Sequence, residues 1–129
     1  MKAFKAVNRY DDDQLWSAFL RRSGVVYEPG KEAKPREGWG PLAAFCKTDR
    51  AIAWVEHFFC EIQDYFPNET MELWECEAVP SKESIHWCFT IDGKIAKADP
   101  TEGSITCDSI TLTRLLGIWN GKNWTGEMK

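Results

Sequence analysis

The segment from Thr48 to Phe66 constrains the fold of this chain more than any other. Its apolar side chains recur at helical spacing, and at about 100° per residue they share one sector of about 120°. These side chains are Ile52, Val55, Phe58, Phe59, Ile62 and Phe66. Thr48 or Asp49 supplies the N-cap, and Pro67 ends the helix. Because a helix with one apolar stripe must bury it against another layer, the remaining segments should supply a sheet.

Several other segments alternate apolar and polar residues with the period of two that indicates half-buried strands. In the first, Phe4 and Ala6 face one way while Lys5, Val7 and Arg9 face the other. Asp92-Gly93 favours a two-residue hairpin loop, so residues 94–98 form a return strand. The predicted strands are therefore 3–10, 25–27, 71–79, 85–91, 94–98 and 104–115.

Residues 14–22 support two interpretations. As a helix, they place Leu15, Trp16, Phe19 and Leu20 on one stripe. As a strand, they place Trp16, Ala18 and Leu20 on one face of a hairpin with the first strand. Residues 30–41, rich in Gly, Pro, Lys and Glu, are predicted to be a surface loop.

Together these elements predict one α+β domain over residues 1–116, followed by a loosely ordered tail over 117–129. We expect an antiparallel or mixed sheet of about five to seven strands. The 48–66 helix should pack on one face of that sheet.

The charge and cysteine content exclude several classes of protein. A net charge of −4 argues against nonspecific binding to nucleic acids or anionic membranes. The sequence starts without the apolar stretch of a signal peptide, and no apolar run approaches the ~20 residues that span a bilayer. Five cysteines are an odd number without a pairing pattern, so we expect reduced thiols in a cytoplasmic protein.

No motif typical of a catalytic or cofactor site is present, and we expect no bound cofactor. His57 and Cys60 are three residues apart on the exposed side of the predicted helix, with Cys46 just before it. Three such side chains could hold zinc, but surface residues without a metal are the favoured interpretation.

Four residues are candidates for catalysis. Glu75 and Glu77 are carboxylates on the polar face of one strand, with Glu72 nearby, and paired carboxylates can act as acid and base. His86 and Cys88 project from one face of another strand, where an imidazolium would stabilise a thiolate. Their spacing of about 6–7 Å is too long for a direct hydrogen bond, so packing is the favoured role.

The candidates for ligand binding lie in the basic first part of the chain. Residues 1–50 carry ten Lys or Arg against seven Asp or Glu. Arg22, Lys34 and Arg36 could receive a phosphate or carboxylate. Trp39, between two glycines in the predicted loop, is of the type enriched at binding hot spots.

Several short motifs stand in a recognisable order: the leading Lys-Ala-Phe-Lys, Val26-Tyr27-Glu28-Pro29-Gly30, Gly40-Pro41-Leu42 and Leu73-Trp74-Glu75-Cys76-Glu77. With Ser109 to Arg114, they resemble a loose group of small uncharacterised proteins from bacteria, archaea and their phages, a domain of unknown function. The resemblance covers most of the chain. It implies an α+β fold, favours the strand interpretation of 14–22, and brings no activity with it.

Two functions follow from these observations. The first is a noncatalytic binding or accessory protein, of phage or mobile-element type, that binds another protein or a small anionic ligand. The alternative is an enzyme acting on a nucleotide or other anionic substrate, of the ADP-ribosyltransferase type, with Glu75 or Glu77 as the acid or base. The absence of catalytic motifs from the sequence favours the noncatalytic binding protein.

Overall fold

A computed structural model describes residues 1–10, 12–18, 25–36, 41–62, 70–83, 86–89, 95–98 and 102–127. For residues 61–62, 86–89 and 95–98 it describes the backbone. The elements are β1 (Lys2–Arg9), β2 (Leu15–Ser17), β3 (Val26–Tyr27), β4 (Glu32–Ala33), β5 (Leu42–Phe45), α1 (Thr48–Ile62), β6 (Thr70–Pro80), β7 (His86–Phe89), β8 (Ile95–Ala98), β9 (Ser104–Trp119) and β10 (Trp124–Gly126). The predicted α+β class is confirmed, and the main sheet is antiparallel with eight strands.

Four strands of this sheet form a closed ring of pairings. β1 pairs with β6, β6 with β9, and β9 with β5. β5 returns to β1 through the pair Phe4 and Phe45. The sheet therefore curls into a small barrel, to which β2, β3, β4 and β10 add short strands, while β7 and β8 pair separately.

The alternation predicted for β1 separates the inside of the barrel from the face beneath the helix. Ala3 and Val7 belong to the interior cluster, which β6 and β9 complete with Trp74 and Ile110. Phe4 and its outward-facing neighbours lie under α1 instead. The helix packs on this outer face, as predicted, through Ala51, Val55, Trp54 and Phe58.

The structure decides between the two interpretations of residues 14–22 and corrects one predicted loop. Leu15–Ser17 is a strand, because Leu15 gains more by burial in the barrel beside Tyr27 than local capping offers a helix. The predicted 30–41 loop contains β4, whose two residues pair with Thr111 and Ile110 of β9. The Asp92-Gly93 loop, residues 63–66 of the predicted helix and residues 19–24 lie outside the described residues.

The expected loosely ordered tail is in fact built into the sheet. β9 continues to Trp119, and β10 pairs with its last residues. Leu116 and Trp119 are buried against the helix side, and the Trp124 indole N–H donates to Glu56 Oε2 at 3.0 Å. Burial of these aromatic side chains outweighs the flexibility that the nearby glycines suggested.

Candidate functional site

A groove of about 440 Å³ lies at the end of the barrel where β6 finishes. It is lined by Pro35, Pro41, Pro80, Ser81, Lys82, Glu83 and Asp108. These residues come from four separate segments that the barrel brings together. The volume is within the range of sites that bind small molecules or side chains. We call it the Pro80 groove.

The wall of the Pro80 groove formed by residues 81–83 is fixed by hydrogen bonds. The Ser81 N–H donates to the carbonyl of Thr106 at 2.9 Å, and the Thr106 hydroxyl donates to the carbonyl of Glu83. The Glu83 N–H donates to Ser81 Oγ at 3.1 Å. Since Thr106 is itself buried in β9, this wall is formed before any ligand arrives.

The charges of the Pro80 groove are mostly negative. Glu83 and Asp108 supply two carboxylates against the single ammonium of Lys82. Within the described ranges, neither carboxylate forms an ion pair. The three prolines add apolar surface without a backbone donor, so the groove suits a cationic group flanked by apolar contacts.

Exposed apolar side chains adjoin the groove. Val79, directly before Pro80, is 51% exposed, and Met1 is 52% exposed. Met1 is held beside Val79 because the Ala78 N–H donates to the Met1 carbonyl at 2.8 Å. Two exposed apolar side chains therefore lie at this end of β6, next along the chain to Pro80 of the groove.

The predicted ligand-binding residues are only partly placed by the structure. Lys34 and Arg36 are exposed and flank Pro35 of the groove. The Lys34 ammonium lies 3.7 Å from a carboxylate oxygen of Glu32, which balances its charge. Trp39 and Arg22 lie outside the described residues.

Glu75 and Glu77 lie on the outer face of β6, as predicted, and Glu72 does not join them. Lys2 Nζ is 2.8 Å from Glu75 Oε1, and Arg114 Nη2 is 2.7 Å from its Oε2. The hydrogen bond from Lys2, followed by that from Arg114, lowers the pKa of Glu75. A general acid at neutral pH needs a raised pKa, so this arrangement does not suit Glu75 to that role.

The other catalytic and metal-ligand candidates do not form a site among the described residues. His86 and Cys88 lie opposite Ala98 and Ala96 in the β7–β8 pair, where only the backbone is described. His57 and Cys60 are exposed on α1, and Cys46 is exposed before it. Within the described ranges, no group of three potential ligands is placed to hold a metal.

The barrel interior contains polar residues that the sequence analysis did not select. Lys5 is only 1% exposed. Its Nζ donates to Ala43 O at 2.6 Å and to Ser17 Oγ at 3.1 Å, and lies 5.4 Å from the centroid of the Tyr27 ring. Burial lowers the pKa of Lys5 to about 8. The sequence signal for the burial of Lys5 was the alternation of β1, which places Lys5 on the same face as Val7.

A second polar group lies nearer the end of β1. Arg9 Nε donates to Glu72 Oε2 at 2.5 Å, and its Nη2 donates to Oε1 at 3.3 Å. The Trp74 indole N–H donates to Glu72 Oε1 at 2.9 Å. The hydrogen bond to Glu72 raises the pKa of Arg9, so the buried carboxylate has a permanent positive partner.

Tyr27 completes the interior polar group. Its side chain is 2% exposed, and its hydroxyl has no hydrogen-bond partner in the described part of the chain. The thiols of Cys76 and Cys107 lie in the same interior cluster. Burial raises the pKa of Cys76 to about 12 and that of Cys107 to about 11, so both stay protonated at neutral pH.

Among the described residues, no helix has the length and apolar character needed to cross a bilayer. No family model, curated protein or solved structure matches the chain.

Proposed function

We propose that this chain is a small noncatalytic binding protein. Its ligand is a segment of a partner protein that places a Lys or Arg side chain in the Pro80 groove. The observation that carries this proposal is the combination of a fixed groove wall with the carboxylates of Glu83 and Asp108, which form no ion pair in the described ranges.

The surroundings of the groove favour a protein segment over a small molecule. Val79 and Met1 are exposed apolar side chains at the Pro80 end of β6, where a compact ligand would not reach them. A segment of several residues would bury both side chains and the prolines, and each buried CH₂ group contributes about 0.8 kcal/mol. The carboxylates would fix the position of the bound segment in the groove, because charges at an interface supply specificity more than affinity.

A peptide selection tests this proposal. The protein is immobilised and used to select binders from a random peptide library, and the enriched peptides are synthesised and measured by calorimetry. We expect enriched peptides to carry Lys or Arg next to apolar residues. The double variant E83Q/D108N should bind them at least about tenfold more weakly.

A matched control separates the groove from the net charge. The double variant E28Q/E127Q removes two exposed carboxylates outside the groove and changes the net charge equally. It should bind the peptides within about twofold of the wild type. The proposal would be contradicted if the affinity of the selected peptides were unchanged in E83Q/D108N. It would also be contradicted if the affinity fell equally in both double variants.

The binding interpretation is preferred to the enzyme because of Glu75. Its ion pairs with Lys2 and Arg114 occupy both carboxylate oxygens on the outer face of β6. These ion pairs lower the pKa of Glu75, so it is poorly suited to act as a general acid at neutral pH.

We also infer that the protein works in the cytoplasm. Cys46 and Cys60 are exposed, and both are free thiols. Exposed free thiols persist in a reducing compartment and tend to oxidise outside it.

A further inference from the structure

The turn between β9 and β10 contains the dipeptide Asn120-Gly121. Asn120 is exposed, so water reaches its side-chain amide. Its Oδ1 accepts hydrogen bonds from the backbone N–H groups of Lys122 and Asn123, both at 2.8 Å. The side-chain amide is therefore held against the backbone of its own turn, with its carbonyl oxygen facing two donors.

This arrangement favours nucleophilic attack on the Asn120 side chain. Two N–H donors on one carbonyl oxygen stabilise the negative charge that develops on it when a nucleophile attacks the carbonyl carbon, here Asn120 Cγ. The neighbouring nucleophile is the backbone nitrogen of Gly121, which has no side chain to obstruct the approach. Gly121 has a φ of +97°, which glycine adopts readily, and within the described ranges its N–H donates to no acceptor. Both partners of a ring closure are thus in place.

We propose that Asn120 is a site of spontaneous deamidation in the folded protein. The Gly121 nitrogen bonds to Asn120 Cγ, and its proton passes through solvent to the departing amide nitrogen. The bond from Cγ to Nδ2 breaks and releases ammonia, which leaves a cyclic succinimide. One water molecule then opens the ring. Hydrolysis at Cγ gives aspartate, and hydrolysis at the main-chain carbonyl carbon gives isoaspartate.

The two products affect β10 differently. Aspartate keeps a carboxylate oxygen where Oδ1 was, so it preserves both hydrogen bonds of the turn. Isoaspartate carries the main chain through Cγ, which adds one carbon atom to the backbone of the turn. Trp124 pairs with Trp119, and its indole N–H donates to Glu56 Oε2 at 3.0 Å. Because a longer turn shifts this register, isoaspartate should release β10 from α1. The proposal does not depend on the function of the Pro80 groove.

The experiment incubates the folded protein at mildly alkaline pH and follows each asparagine by digestion and mass spectrometry. Asn123 is the internal control, because it is exposed in the same turn but is followed by the bulky Trp124 of β10. Asn120 should deamidate at least about tenfold faster than Asn123, which corresponds to a barrier lower by about 1.4 kcal/mol. Equal rates at the two positions would overturn the proposal. It would also be overturned if Asn120 stayed intact in the folded protein while the same chain deamidated in urea.

A second measurement tests the effect on β10. The isoaspartate form is separated by chromatography and compared with freshly purified Asn120→Asp, which has the same added charge and an ordinary backbone. The NMR resonance of the Trp124 indole N–H reports its hydrogen bond to Glu56. This resonance should keep its position in Asn120→Asp and move in the isoaspartate form. An unmoved resonance in the isoaspartate form would show that β10 is not released.

Discussion

At the scale of single residues, Lys5 has the clearest consequence for stability. Its pKa falls from 10.5 in the unfolded chain to about 8 in the barrel. Between these values the folded state binds fewer protons, so stability rises with pH across this window. Below pH 8 the full cost of the buried charge is present, and above 10.5 it disappears.

The substitution Lys5→Met should therefore change the pH dependence of unfolding. The stability that the variant gains relative to the wild type should be largest near pH 7, where Lys5 is a buried ammonium. This advantage should shrink by about 3 kcal/mol as the pH rises to 10.5, since one pKa unit corresponds to about 1.4 kcal/mol. Urea unfolding at a series of pH values measures it.

The buried thiols act in the opposite direction and provide the internal control. Because their pKa values are raised to about 12 and 11, Cys76 and Cys107 ionise first in the unfolded chain, which lowers stability above pH 9. This loss is common to both proteins and cancels in their difference. Parallel pH profiles for wild type and variant would show that Lys5 does not have the lowered pKa.

At the scale of elements, the hairpin formed by β9 and β10 depends on Gly126. This residue has a φ of +98°, and a Cβ there would lie 3.1 Å from the Leu116 carbonyl oxygen and 3.3 Å from Gly117 Cα. Both neighbours are backbone atoms within the paired strand β9, which cannot yield as a side chain does. A side chain at position 126 would therefore be disfavoured both by the left-handed backbone conformation and by the close contact with β9.

Gly126→Ala and Gly30→Ala form a matched pair that separates these two effects. Gly30 has a φ of +82°, and a Cβ there would have no neighbour within 4 Å. Gly30→Ala should lower stability by about 1–2 kcal/mol, the cost of the left-handed conformation. Gly126→Ala should cost about 1–3 kcal/mol more, because the backbone of β9 must shift. Equal losses in urea unfolding would show that β10 moves away freely.

The elements also show how far the sequence predicts this fold. The buried faces of α1, β1 and β6 repeat with clear periods, so their positions could be predicted. β2 could not be decided, because Leu15 fits a local helix and a distant pairing with Tyr27 equally well. The extent of β9 was missed because Gly117 and the glycines after it suggested a loosely ordered tail, whereas Gly117 pairs with Leu73 inside the sheet.

The sites were harder to predict than the elements. The Pro80 groove joins residues from four separate segments, and no sequence spacing relates Pro35 to Asp108. Lys5 looked like an ordinary polar residue in an alternating strand. Only the closure of the barrel, which brings Ala43 and Tyr27 to its ammonium, turns it into an interior residue.

At the scale of the whole molecule, ring closure predicts where the structure opens last. β1, β6 and β9 lie in the ring and pair over long stretches, whereas β10 has three residues at one edge of β9. Amides in the centre of β1 and β6 should exchange hydrogen only through global unfolding. Those of β10 should exchange at least about 100-fold faster, as measured by NMR. Equal protection would place β10 in the same cooperative unit as the ring.

The ring has one more consequence, for behaviour at high concentration. β1, β5, β6 and β9 each have a partner strand on both sides. Unpaired strand edges are the usual templates on which a second chain adds by backbone hydrogen bonding, and long apolar edges are the most dangerous. Because these four strands occupy both of their edges internally, none of them offers a free edge for the edge-to-edge growth that leads to fibrils.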